Sequence, residues 1–147
     1  GVSDDKTSQD IRRARVAEIF SGSGNLSKAL CDVDLPAIEY DLIKSPEHDM
    51  YNTLKMEKIR DTVMGAPNIQ YIHLAPPCNT FSQARWPKIR SKQYPAGLPN
   101  VTHKQRHQLH VANKIVQNTV AIADALITGG KMVSIENPAS SLFLYFV

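Results

Sequence analysis

The sequence predicts an α/β domain built on a parallel sheet. Three observations predict it. Short apolar runs recur at strand length, they alternate with stretches of helical period, and two strand ends carry turn residues instead of further strand formers. Strands that alternate with helices pair in parallel through right-handed crossovers. The 147 residues are one domain's worth and enough to bury a core.

The elements follow in order. The start of the chain is polar, so residues 1–14 read as a flexible tail without a signal peptide, and residues 15–147 as the domain. Arg15-Val16-Ala17-Glu18-Ile19-Phe20 reads as a first buried strand. Ser21-Gly22-Ser23-Gly24 is a tight turn, and Asn25 is the expected N-cap of a helix through about Cys31. Ala37-Ile38-Glu39-Tyr40-Asp41 is a second strand. The segment from Ser45 to Asn52 is loop, with room for a very short strand at His48-Asp49-Met50. A helix is expected from Leu54 to Met64, with Met56, Ile59 and Val63 on its apolar side. Ile69 to Leu74 is again a strand.

Residues 79–103 form a long loop rich in Pro, Lys and Arg, and loops of that length in a compact domain are usually functional. Beyond it Leu109, Ala112, Ile115, Val116, Thr119, Val120, Ala123, Leu126 and Ile127 fall on one helical face, and Gly129-Gly130 ends that helix. Lys131 to Ile135 is a further strand, closed by Glu136-Asn137-Pro138. The terminal run Leu142-Phe143-Leu144-Tyr145-Phe146-Val147 is apolar and needs cover. Either it packs on the sheet or a further segment or subunit buries it, and the second is the expectation.

Composition narrows the function. No apolar run approaches the roughly 20 residues of a membrane span. Cys31 and Cys78 stand in unrelated contexts without metal-ligand spacing, which favours free thiols in a reducing, intracellular compartment. His103, His107 and His110 have a helical spacing that a metal could use. No Cys or carboxylate accompanies them, so no metal site is expected. The net charge is only +3, yet no Asp or Glu occurs between Asp61 and Asp124. That window holds Arg85, Lys88, Arg90, Lys92, Lys104, Arg106 and Lys114. A one-signed block beside Cys78 points to an anionic partner, with nucleic acid the first candidate; the plain alternative is a solvated basic loop.

Three constellations carry chemistry. Glu18-Ile19-Phe20-Ser21-Gly22-Ser23-Gly24 places glycines after a first strand, where the backbone can approach a ligand. An acid on the next strand, Glu39, is placed for ribose hydroxyls. The motif alone is weak. Ser27 stands where a dinucleotide fingerprint has its third glycine, and no phosphate-loop pattern is completed. Pro76-Pro77-Cys78-Asn79-Thr80-Phe81-Ser82 presents a cysteine on a rigid strand end, since proline cannot extend the ladder. A thiol of ordinary pKa is only about 3% ionised at neutral pH, and nearby positive charge raises that fraction. Glu136-Asn137-Pro138 puts a carboxyl group at another strand end. Beside Cys78 it would complete a nucleophile and acid pair; alone it is a capping or surface carboxylate.

Together, in order and rough spacing, these residues resemble the cytosine-5 methyltransferases of DNA over about residues 15–141. Glu18 to Gly24 is similar to that family's first motif, Asp-x-Phe-x-Gly-x-Gly. Glu39-Tyr40-Asp41 is similar to its second. Pro76 to Ser82 is similar to Pro-Pro-Cys-Gln-x-Phe-Ser, and Glu136-Asn137-Pro138 to Glu-Asn-Val. The resemblance implies a Rossmann-like class I methyltransferase fold with sheet order about 3-2-1-4-5, ending before the last strands. It implies S-adenosylmethionine as cofactor, held by Phe20, Gly22, Gly24, Asn25, Leu26, Glu39, Tyr40, Asp49 and Pro77, with Tyr40 against the adenine and Asp49 near its amino group. It implies a covalent adduct of Cys78 with C6 of cytosine, DNA being favoured over RNA. Glu136 would then be the acid at N3, its proton retained through burial. The target base leaves its stack, and Ser82, Arg85, Trp86, Lys88 and Arg90 meet the nucleic acid. Trp86 could equally pack the loop.

Asn79 replaces the family's Gln and Pro138 its Val. The family's later Arg-rich motif and target-recognition region do not occur. A catalytically inactive, nucleic-acid-binding or regulatory module on the same fold is therefore the second reading. A dinucleotide-dependent oxidoreductase is a third, and it leaves Cys78 and Glu136 without a role.

Overall fold

The structure, a computed structural model, describes residues 11–147. The expected tail therefore lies mostly outside the described residues. Its last part is no tail, because Ile11 packs on the core and Ala14 is buried. Asn68 Nδ2 ties both down by donating to the carbonyls of Ile11 and Ala14.

Four strands form one parallel sheet. They are β1 (Val16–Ile19), β2 (Ala37–Tyr40), β3 (Tyr71–Leu74) and β4 (Met132–Ile135), in the order β2-β1-β3-β4. The chain winds from β1 outward to β2, then crosses back to β3 on the other side of β1. The direction of winding thus reverses between β1 and β3, and α/β sheets bind ligands outside the carboxyl ends of strands at such a point. The order agrees with the expected one except at its edge. No strand forms at His48-Asp49-Met50. Pro46–His48 is a turn of 3-10 helix instead, with Pro46 in its first positions and the Ser45 hydroxyl accepting from Glu47 N–H. Asp49 then caps its own turn by accepting from Tyr51 N–H, which leaves too little extended backbone to pair.

Three helices of seven or more residues pack on the sheet: α1 (Asn25–Cys31), α2 (Thr53–Met64) and α3 (His103–Thr128). A single turn, α4 (Phe143–Phe146), follows β4. One face of the sheet presents Ala17, Ile19, Ile38, Tyr40, Ile72 and Leu74. These bury against Met56, Ile59 and Val63 of α2 and Ile122, Ala123 and Leu126 of α3. Each such aliphatic side chain stabilises the fold by roughly 1.5–3 kcal/mol on burial.

The stripe of α3 is rotated from the expected one. Val120 and Ile127 are exposed, whereas Asn118 and Ile122 are buried. Asn118 earns its place with its amide, which donates to the carbonyls of Met50 and Tyr51 and so pins the loop before α2. Thr102 and Gln105 form a capping box at the start of α3.

The terminal apolar run packs neither wholly nor on the sheet. Leu142 and Phe143 join Phe81 and Val116 in a second buried cluster, between the long loop and α3. Leu144, Tyr145 and Val147 are exposed.

The other sheet face is unlike the first. In register across β2, β1, β3 and β4 stand Glu39, Glu18, His73 and Ser134. α1 covers the Glu18 end of this polar row. Over β3 and β4 the face is open, and Tyr71, His73 and Ser134 are half-buried there.

Candidate active site

The Gly-rich turn is shaped by left-handed backbone. Phe20, Gly22 and Gly24 have φ of 64°, 55° and 73°. The helix that follows is not capped by Asn25, which is its first residue. Gly24 is the N-cap and has no side chain to offer. Glu18 does the work from β1: its carboxylate accepts from Ser27 N–H at 3.1 Å and from Ser27 Oγ at 2.5 Å. A buried carboxylate at a helix N-terminus is thereby paired with the donors and dipole that such an end exposes.

Glycine suits position 24 because of its left-handed φ of 73°, and a Cβ there would meet the Glu39 carboxylate, the mobile end of that side chain. Glu39 lies against this glycine and pairs with Lys44 at 3.4 Å. Asp41, the next residue on that face, accepts from Gly22 N–H at 2.7 Å.

A cleft of about 720 Å³ opens beside this turn. Phe20, Ser21, Asn25 and Leu26 line one side, Tyr71 and His73 the other, and Glu136 closes the end. Of the residues expected to hold a cofactor, Gly22, Gly24, Glu39, Tyr40, Asp49 and Pro77 are absent from its walls, Pro77 lining the cleft of Cys78 instead. Tyr40 is buried in the core, edge-on to His48, with its hydroxyl unpartnered. Desolvation pushes that phenol up to about 12. The β2 pleat accounts for Tyr40, because alternate residues face opposite sides and Tyr40 shares the core face with Ile38.

Cys78 follows β3 after Pro76 and Pro77, as the motif predicts. Its thiol is free and partly exposed. Its carbonyl accepts from the N–H groups of Phe81 and Ser82, both at 2.9 Å, so the chain turns sharply just beyond it. Glu136 follows β4, and its N–H donates to the Leu74 carbonyl, which aligns the two strand ends. Cys78 and Glu136 line one cleft of about 410 Å³ with Pro77 and Asn137. Glu136 and Ala75 border both clefts, which places the nucleophile candidate and the Gly-rich turn on one continuous surface.

The expected burial of Glu136 is not found. Its side chain is 70% exposed, because β4 is an edge strand and nothing covers its outer side among the described residues. It has instead a partner that the sequence reading missed. His73 Nε2 lies 3.2 Å from Glu136 Oε2, His73 Nδ1 lies 2.8 Å from Ser134 Oγ, and Ser134 Oγ lies 2.5 Å from the Tyr71 hydroxyl. Polar residues at alternate positions in two otherwise apolar strands were the available signal.

The basic loop divides into exposed and buried members. Trp86 is 84% exposed, and Lys88 is exposed with its ammonium on the Gln83 carbonyl. Arg85 donates to Gln108 Oε1 and is half-buried. Ser82 accepts from Ala84 N–H. Arg90, expected at the nucleic acid, is 2% exposed. Its guanidinium lies 3.7 Å over the Phe81 ring and donates to Thr80 Oγ1, the Pro95 carbonyl and Asn113 Oδ1. Burial, with Arg85 adding, pushes it down to about 10. It fastens the loop to α3 and is withdrawn from any ligand.

Among the described residues no group of three or more His, Cys, Asp or Glu could hold a metal ion, and no helix is long and apolar enough to cross a membrane. No family model, no curated protein and no solved structure matches the chain.

Proposed function

We propose that this chain is an S-adenosylmethionine-dependent methyltransferase acting on C5 of cytosine in nucleic acid, DNA before RNA. The observation that carries the reading is the shared cleft of Cys78 and Glu136, continuous with the cleft beside the Gly-rich turn. The aligned ends of β3 and β4 bring the two side chains of a nucleophile and acid pair to one surface.

The first cleft suits the cofactor in part. It offers the Phe20 ring and Ser21, whose buried hydroxyl has no protein partner. Glu39 Oε1 lies beside Gly24 and has the Lys44 ammonium as its partner. Phe20, Ser21, Asn25 and Leu26 would hold the cofactor there. When bound, S-adenosylmethionine supplies an electrophilic methyl group.

The chain's own residues supply the remaining chemistry. Cys78 as thiolate adds to C6 of the base while Glu136 gives a proton to N3, so the ring accepts the electron pair without building negative charge. C5 becomes nucleophilic. Once C5 has bonded the methyl group that the cofactor would supply, a base takes the C5 proton, that C–H electron pair re-forms the C5–C6 double bond, the C6–S bond breaks, Cys78 leaves as thiolate and the N3 proton returns to Glu136. Ser82, Arg85, Trp86 and Lys88 lie on the loop that would meet the nucleic acid, and Arg90 holds that loop in place.

The test is covalent trapping on DNA containing 5-fluorocytosine, whose C5 fluorine blocks the proton loss. A stable adduct is expected for the wild type and none for Cys78→Ser. A trapped adduct with Cys78→Ser, or full methyl transfer by it, would sink the mechanism. One observation favours the second reading, a non-catalytic module on this fold: Glu136 is exposed instead of buried. Cofactor binding with no adduct in the wild type would select that reading.

A further inference from the structure

The long helix carries a charge pattern that its packing does not use. On α3, His103, Arg106, His107, His110 and Lys114 fall within an arc of about 100° at 3.6 residues per turn, and Lys104 flanks that arc. Lys114 is half-buried and the other five are exposed. Val116, Thr119 and Ala123 lie on the opposite side of the helix and are buried. We infer that the basic stripe is a docking track for the phosphate backbone of duplex DNA, distinct from the loop of residues 79–102. The inference goes beyond the methyltransferase reading, because its ligand is the phosphates and not a reacting base.

Sign, order and position each support it. No Asp or Glu occurs between Asp61 and Asp124, and among the described residues no carboxylate pairs with Lys104, Arg106 or Lys114. Their positive charge is therefore uncompensated, which favours a polyanion. Tyr51, from the loop before α2, sets two members of the stripe side by side. The Lys114 ammonium lies 4.6 Å over its ring, and His110 Nε2 is 3.4 Å from its hydroxyl oxygen. Tyr51 is itself held to α3, since the Asn118 amide donates to its carbonyl. Side chains ordered before binding lose less entropy on binding.

The stripe also runs alongside the turn that carries Cys78. His107 and Gln108 line one cavity with Pro77, Asn79 and Thr80, and Arg85 donates to Gln108 Oε1 at 3.1 Å. From His103 to Lys114 the helix rises about 16 Å, the axial length of about five successive phosphates of one strand. Arg and Lys bring charge, and each imidazole keeps an N–H donor even when uncharged. Such groups contact phosphate oxygens and read no sequence. A lipid surface would call for exposed Leu, Phe or Trp among the cations, and the arc holds none. The helix end is not the site, since the capping box of Thr102 and Gln105 occupies it.

Binding of the full chain to two short DNA duplexes of unrelated sequence, followed across a range of salt concentrations, tests this. Lys104→Gln, Arg106→Gln and Lys114→Gln together should weaken both duplexes alike, about 10- to 100-fold at about 100 mM salt, and make the log–log salt slope shallower by about 2 to 3. Arg106→Gln alone should make it shallower by about 1. Lys104→Arg, Arg106→Lys and Lys114→Arg together keep the charge and should keep the wild-type slope. Arg13→Gln, Lys28→Gln and Lys58→Gln remove as much charge from other exposed positions and should leave the slope nearly unchanged. An unchanged slope in the first variant, an equal loss in the last, a loss confined to one duplex, or a wild type that binds anionic vesicles or nothing in place of DNA overturns the inference. Adduct formation on 5-fluorocytosine DNA separates this from the proposed function. The expected slopes without a wild-type adduct leave the docking track standing and sink the methyltransferase. An adduct with a DNA affinity indifferent to the three stripe substitutions does the reverse.

Discussion

The two halves of the candidate site treat their polar groups in opposite ways. At the carboxyl ends of β1 and β2, acids close on the backbone beside them: Glu18 on Ser27 and Asp41 on Gly22. At the ends of β3 and β4 the reactive side chains stay open to the cleft, and closure is displaced to Arg90, deep under the loop. The difference teaches where rigidity is placed. A turn that must approach a ligand with its backbone is held from below by carboxylates. The surface around Cys78 and Glu136 is left bare, and only the loop beside it is anchored.

The strongest way to break this comparison is to remove the anchor. Arg90→Leu leaves Thr80 Oγ1, the Pro95 carbonyl and Asn113 Oδ1 without their donor. Half-buried acceptors so stranded, with a lost stack on Phe81, are expected to cost about 2 kcal/mol or more in urea unfolding. Proteolysis within residues 79–102 should rise with it. Arg90→Lys should recover less than half, because an ammonium cannot serve three acceptors over an aromatic face in a planar fork. If both variants stay within about 0.5 kcal/mol of the wild type, the loop is anchored elsewhere.

Arg90 also marks what the sequence could not disclose. An acid-free basic block reads as solvated or ligand-facing charge, since Arg is rarely buried. Its burial depends on Phe81, Asn113 and Pro95 converging from distant places, which no local pattern encodes. The strands were legible because short apolar runs bounded by Gly, Pro and Asn allow few alternatives, and all four formed where the runs lie. So were the two motif ends, Cys78 and Glu136, which the parallel register brings together. The His73–Ser134 contact was not, because it joins residues 61 apart through a register set only by the assembled sheet. The third short strand failed for the reverse reason: local turn chemistry at Ser45, Pro46 and Asp49 outweighed a weak apolar signal.

The closed half can be opened at Glu18. Glu18→Ala removes both acceptor contacts to Ser27 and leaves Gly24 as a cap without a side chain. A loss of about 2–3 kcal/mol is expected, the range for buried hydrogen bonds to a charged group. Glu18→Gln should lose roughly half as much, since an amide oxygen still accepts but carries no charge for the helix end. Hydrogen exchange localises the effect: amides of α1 should lose protection first, while those of α3 keep theirs. Uniform loss over both helices would mean that Glu18 supports the sheet as a whole and does not act as the cap of α1.

The smallest effect sharpens the comparison most, because it asks on which side of the sheet Tyr40 belongs. Its hydroxyl is buried without a partner, so Tyr40→Phe should stabilise the chain by about 1 kcal/mol at pH 7. The pH dependence follows from the phenol standing at about 12 in the fold against 10 in the unfolded chain. Below pH 10 both states keep the proton and its contribution is constant. Above pH 10 the unfolded chain ionises first, so stability falls as pH rises toward 12, by up to roughly 2–3 kcal/mol. The difference between wild type and Tyr40→Phe isolates this residue from the other groups that titrate there. It should widen from pH 9 to 11.5 in urea titrations followed by circular dichroism. Parallel curves would put the hydroxyl in water and the ring at the cleft, where a bound adenine could meet it.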